Sequence, residues 1–103
     1  MANILVKWVL PTTRESGKPL QIGDIKDVEI LLSADGGVNF GSFGKYVPTI
    51  LETLVTDLEP GEWFFAGVVT DNANKSSKPV KTSLLVPDTT PPGTLISLLL
   101  NLQ

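Results

Sequence analysis

The sequence predicts an all-β domain, an antiparallel β-sandwich, and three observations carry the prediction. Apolar and polar residues alternate in short runs, clusters of Pro, Gly, Asp and Asn separate the runs, and no long window shows helical periodicity. The length of 103 residues matches one sandwich of about 100 residues and leaves no room for a second domain. With 42% hydrophobic and 18% charged residues, the chain is too apolar and too weakly charged to stay disordered.

Residues 4–10 are rich in β-branched and aromatic side chains and stop at Pro11, which reads as a strand with Ile4, Val6 and Trp8 facing inward. Residues 11–23 turn polar and form the longest surface loop, its backbone groups bonded to water or to turn side chains. Alternation resumes over 24–33, with Ile25, Val28, Ile30 and Leu32 apolar and Lys26, Asp27 and Glu29 polar, before Asp35-Gly36-Gly37 supplies a hairpin turn. Phe40 and Phe43 lie in a stretch where Gly41 and Gly44 weaken a regular ladder and Pro48 confines the chain to an edge or a bulge. A strand over 49–56 leads to the turn Leu58-Glu59-Pro60-Gly61, where Pro presets φ and Gly accepts a positive one. Two more strands follow, the aromatic run 62–70 and, after the polar turn 71–76, residues 81–86.

Several function classes drop out on composition. Eight Lys plus Arg against 11 Asp plus Glu give a net charge of −3, and the basic residues are scattered, which disfavours nucleic acid as a partner. Without Cys there is neither a disulfide frame nor thiolate chemistry, and without His the commonest general base and metal ligand are both missing. No cofactor is expected. Met1-Ala2-Asn3 runs straight into a strand-like segment with no signal-peptide pattern. The most apolar tract, residues 94–102, is nine residues long, about half of the ~20 needed to span a bilayer as a helix, so no membrane partner is expected.

Four motifs together resemble a fibronectin type III domain: Val6-Lys7-Trp8-Val9-Leu10-Pro11, Gly17-Lys18-Pro19-Leu20, Leu58-Glu59-Pro60-Gly61-Glu62-Trp63 and Thr70-Asp71-Asn72-Ala73-Asn74-Lys75-Ser76. The resemblance covers residues 4–86 and implies an immunoglobulin-like sandwich. It makes the first motif the family's second strand, with Trp8 in the core, so the family's first strand is missing at the N-terminus. Trp63 stands where the family usually has Tyr, so the tyrosine-corner bond is either lost or replaced by the indole N–H donating to a backbone carbonyl. Gly67 falls on the inward face where the family has a larger apolar residue, leaving room for Trp8 or another chain. Residues 87–93 resemble the Pro-rich linker that opens a following domain of the family, and residues 94–98 resemble that domain's first strand.

Ser33-Ala34-Asp35-Gly36-Gly37-Val38-Asn39-Phe40 resembles the Asp-box of sialidases and other β proteins, with Asn39 and Phe40 in place of its last two residues. Its physical content is a hairpin in which a carboxylate accepts backbone N–H groups, which is scaffold chemistry. Glycoside hydrolysis needs two carboxylates about 5–10 Å apart in a cleft, whereas Asp27 and Glu29 alternate with Val28 and Ile30 as a solvated strand face. Asp71, Asn72, Asn74 and Asp88 offer oxygens of the kind that bind Ca²⁺, and turn capping explains Asp71 and Asn72 equally well. Trp8, Trp63 and Phe65 read as core, and only Phe64 alternates to the outer face.

The candidate partner-binding residues are Leu95, Ile96, Leu98, Leu99, Leu100 and Leu102. They lie in a segment without charge, and each costs about 1.5–3 kcal/mol if left in water. Period two places Ile96, Leu98, Leu100 and Leu102 on one face, while positions 95, 98, 99 and 102 also suit a short helix. The expected organisation is a sandwich over 1–86 with a linker and apolar assembly segment over 87–103. The expected function is structural and non-enzymatic. By resemblance to small bacteriophage accessory proteins, the chain decorates a capsid or tail, contacting other virion proteins or copies of itself through an open sheet edge and the C-terminal segment. A carbohydrate- or cell-surface-binding adhesion module is the alternative.

Overall fold

The computed structural model describes residues 2–102. The chain is all-β: β1 (Ala2–Lys7), β2 (Ile25–Ser33), β3 (Gly41–Tyr46), β4 (Glu52–Leu58), β5 (Gly61–Asp71) and β6 (Val80–Val86), with a single 3₁₀ turn at Ile22–Asp24. They form two antiparallel sheets, one of two strands in the order β1-β4 and one of four in the order β3-β2-β5-β6. The sheets face one another across a core of Val55 and Leu58 from β4, Phe65 from β5 and Val86 from β6, with Ala2, Ile4, Val6, Leu32 and Trp63 packed against it.

Alternation decides which side chains enter this core. Along β1 the inward residues Ala2, Ile4 and Val6 are half-buried and the intervening ones are exposed. The strand is shorter than the predicted 4–10, although the Trp8 N–H still donates to Leu51 O at 3.0 Å before the chain turns away toward Pro11. In the larger sheet Val28 pairs with Val69, Ile30 with Gly67 and Leu32 with Phe65, and these cross-strand partners share the inner face.

Four details differ from the sequence expectations. The Gly-rich stretch forms a sixth strand, β3, which is both an edge strand and irregular, with a register shift between Ile30 and Leu31 on its partner. The strand expected from 49 begins at Glu52, because Pro48 lies in a turn closed by Ile50 N–H donating to Val47 O at 3.0 Å. The loop 11–23 satisfies part of its backbone internally: Arg14 N–H donates to Lys18 O and Leu20 N–H to Thr12 O, with Gly17 at φ 84° completing the reversal. The neighbour of Gly67 within the chain is Ile30 and not Trp8. A Cβ there would lie 3.8 Å from Cδ1 of Ile30, its cross-strand partner.

Trp63 Nε1 donates to Glu59 O at 2.9 Å, fastening the start of β5 to the turn before it, one of the two outcomes expected of Trp at this position. Trp8 is half-buried and packs its ring at 5.4 Å from that of Tyr46. Its Nε1 is buried without a partner among the described residues. Tyr46 Oη bonds Thr53 Oγ1 at 2.8 Å, joining β3 to β4 across the two sheets.

Two glycines therefore differ sharply in what they tolerate. A Cβ at Gly44 would meet the Tyr46 ring at 2.8–3.2 Å, and that ring is pinned by Thr53 and Trp8. Gly44→Ala should lower stability by about 1–3 kcal/mol through overpacking. Gly67→Ala makes only ordinary contact and should be neutral or stabilising by up to about 1 kcal/mol through the unfolded chain. Urea melts of the two variants check the opposite signs.

Candidate functional site

The two sheets are unequal in width, and the difference exposes a strip of the inner face. β4 follows β3 directly and is bonded to it through Thr53 and Tyr46, so it lies over the β3 side of the larger sheet. β1 pairs with β4, and its other edge has no strand beside it among the described residues; its inward Ala2, Ile4 and Val6 pack against the core cluster that includes Val86 of β6. On β6, Leu84 is opposite Trp63, Thr82 opposite Phe65 and Val80 opposite Gly67, which puts all three on the inner face. Yet Val80 is 77% exposed and Leu84 49%, while Val86, farther along the same face, is 4% exposed. Among the described residues no strand covers the inner side of β6 over residues 80–84.

The polarity of the free edge follows from the ladder. Trp8 donates to Leu51, and the register continues as Lys7 with Glu52, Val6 with Thr53, Leu5 with Leu54 and Ile4 with Val55. Backbone groups of an antiparallel strand point to alternate sides. Val6 and Ile4 therefore bond to β4, and the N–H and C=O of Leu5 and Lys7 point out at the open edge. On the solvent face of this sheet, Leu5 and Leu54 stand opposite one another and both are about half exposed.

The six candidate partner-binding residues lie in the tail that follows β6. Residues 87–102 contain neither strand nor helix, and Leu95, Ile96, Leu98, Leu99, Leu100 and Leu102 are all exposed, Ile96 completely. The principal extents are 83 × 23 × 19 Å and the radius of gyration is 20.9 Å, against about 13 Å for a compact chain of 100 residues. The tail stands away from the sheets. At its root, Thr90 donates from both N and Oγ1 to Asp88 Oδ1, a local turn that holds the Asp88 carboxyl below its ordinary range.

The Asp-box-like hairpin is built as its residues predict. Asp35 accepts from the Asn39 and Val38 N–H groups at 3.0 and 3.2 Å, and from the Ser33 hydroxyl and Asn39 Nδ2, while Gly36 and Gly37 both take φ 81°. These donors, the Asn39 N–H foremost, hold its carboxyl far below the ordinary value. Beside the hairpin a shallow cleft of about 310 Å³ is lined by Gly36, Gly37, Phe40, Phe64 and Lys81 among others, with Lys81 Nζ 5.3 Å from the centre of the Phe40 ring. Sequence reading had singled out Phe64, and pairing adds Phe40 and Lys81.

Asp71 caps the turn after β5. Its Oδ1 accepts from Ala73 and Lys75 N–H, and its Oδ2 receives Arg14 Nη1 at 2.9 Å, an ion pair across 57 positions that sequence reading missed because nothing local marks it. The Lys75 N–H first, then the Arg14 side chain, hold its carboxyl below the ordinary value. Asn72 donates to Gly23 O, and Lys26 donates to Asn74 Oδ1. These groups are thus engaged in tying the 11–23 loop and the 3₁₀ turn to the end of β5. No cluster of three or more Asp or Glu that would hold a metal ion occurs among the described residues, and no helix is long and apolar enough to cross a membrane.

Compared with protein-family models, with curated proteins and with solved structures, the chain matches none.

Asp35 and Asp71 make the fold acid-sensitive with a definite sign. Their folded pKa values lie below the unfolded one, so they stabilise the fold above the unfolded carboxylate value near 3.9, and this is lost as the pH falls from there toward the folded values. The urea midpoint of the wild type should drop between about pH 4 and pH 2, and Asp35→Ala or Asp71→Asn should flatten that drop while lowering the midpoint at pH 7. A Ca²⁺- or glycan-dependent rise in melting temperature that Asp35→Ala abolishes would instead make the hairpin a ligand site.

Proposed function

We propose that this chain is a non-enzymatic protein-contact module, a fibronectin type III-like sandwich that joins a larger assembly through an open sheet edge and an apolar tail. One observation carries the reading: the same chain has an uncovered apolar strip beside a free strand edge and an exposed, uncharged segment of nine residues. Each is unfavourable in water, and each is of the kind that protein contact removes.

The strand arrangement supports the family resemblance. In immunoglobulin-like sandwiches the first strand lies beside the second. The second corresponds here to β1, and the place beside β1 is empty among the described residues. The polar clusters argue in the same direction, since Asp35, Asp71 and Asn72 all spend their side chains on backbone groups of their own turns or neighbouring loops. The setting that fits is a bacteriophage virion, with the chain on the capsid or tail and other virion proteins or further copies as partners. A carbohydrate- or surface-binding adhesion module is the second reading, and the cleft at Phe40, Phe64 and Lys81 is the observation in its favour. That cleft is shallow, and its one charge already lies over a ring.

The test is to place aspartates in the tail, Leu98→Asp with Leu100→Asp, and fractionate the chain on a density gradient from cells producing it with its assembly. Wild type should travel with a particle fraction and the variant should be released to the soluble pool, since each substitution forfeits about 1.5–3 kcal/mol of apolar burial. The urea midpoint of the sandwich should not change. Wild type recovered only as free protein, together with glycan binding lost in Phe64→Ala, would favour the adhesion module.

A further inference from the structure

We infer that residues 94–102 of one copy add as an antiparallel strand to the free edge of β1 in a second copy, lying over the inner side of β6. The inference rests on the reading of the tail as an assembly segment and names its partner. The added strand meets three separate deficits. It pairs with the outward N–H and C=O groups of Leu5 and Lys7. Its Ile96, Leu98, Leu100 and Leu102 face the strip at Val80, Thr82 and Leu84. Its other face brings Leu95 and Leu99 alongside Leu5 and Leu54, extending an apolar row that otherwise ends at the edge. Both faces of the segment thereby find apolar neighbours, and its lack of charge matches an environment with no buried partner for one.

Every pairing within the two sheets is antiparallel, and for an antiparallel strand the direction favours a second copy over the chain's own tail. Val86 is opposite Gly61, and Ala2 is opposite Leu58 across the same turn, so β6 releases the tail at the end where β1 begins. A strand antiparallel to β1 must start at the other end, beside Lys7. The chain's own tail would first have to run back the full length of β1, and it carries Pro91-Pro92, which favours an extended course, in a tail that stands off from the sheets. A tail arriving from another molecule meets no such restriction. Donation is head-to-tail, so the products are closed rings or open fibres according to whether the rotation between copies closes.

The test uses the absence of Cys from the sequence. One copy receives Lys7→Cys, and a second receives Ser97→Cys, Leu99→Cys or Asn101→Cys in turn, all on the outer face of the paired strands. The two are mixed and oxidised. A disulfide-linked dimer of unlike copies should form at one or two of the three tail positions and be lost when the donor also carries Leu98→Asp and Leu100→Asp. Internal closure in a chain bearing both cysteines, with no dimer in the mixture, would overturn the inference in favour of the chain's own tail. Absence of any cross-link, with wild type sedimenting as a monomer, would also overturn it. If wild type were nonetheless found on particles in the density gradient, the assembly reading would stand with a different protein as the tail's partner.

Discussion

A two-stranded sheet cannot cover a four-stranded one, and most features of this chain follow from that mismatch. Strands in a sheet lie about 4.8 Å apart, and the smaller sheet, anchored over β3 by the Tyr46–Thr53 bond, covers β6 only near Val86. The consequences run along the molecule. Val55 and Phe65 are fully buried where both sheets are present, Ile4 and Val6 are only half-buried, and Val80 and Leu84 lie open although they point inward. The fold retains a core, but one that reaches its last strand only at Val86.

The polar network is local, and its members serve the turns and loops beside them. Asp35 organises one hairpin, Asp71 closes another and pairs with Arg14, and the Trp63 indole fastens the β4–β5 turn. Each group satisfies backbone donors or acceptors that would otherwise be left to solvent, and each lies at an end of the sandwich instead of converging on a common point.

Much of this was legible in the residues. Period-two alternation located the inward faces of β1, β2 and β5, and turn chemistry marked Asp35-Gly36-Gly37 and Pro60-Gly61, because both signals are local. The unsheltered apolar tail was likewise visible. What escaped depends on partners distant in sequence: the strand at Gly41–Tyr46, whose Gly44 makes room for Tyr46; Ile30 as the neighbour of Gly67; the Arg14–Asp71 pair; and the exposed inner face of β6. Val80 and Leu84 read as ordinary strand residues until register shows which way they face and that nothing lies over them.

The central claim is that the free edge of β1 is a pairing site, and amide hydrogen exchange at four residues tests it most directly. Ile4 and Val6 bond to β4 and serve as internal references, whereas Leu5 and Lys7 point to the open edge. In the intact chain, at concentrations where copies associate, the Leu5 and Lys7 amides should be protected nearly as well as Val6. In a chain truncated after Gly93 they should exchange faster by on the order of a hundredfold, with Ile4 and Val6 little changed. Leu5 and Lys7 amides that exchange equally fast with and without the tail would contradict the account.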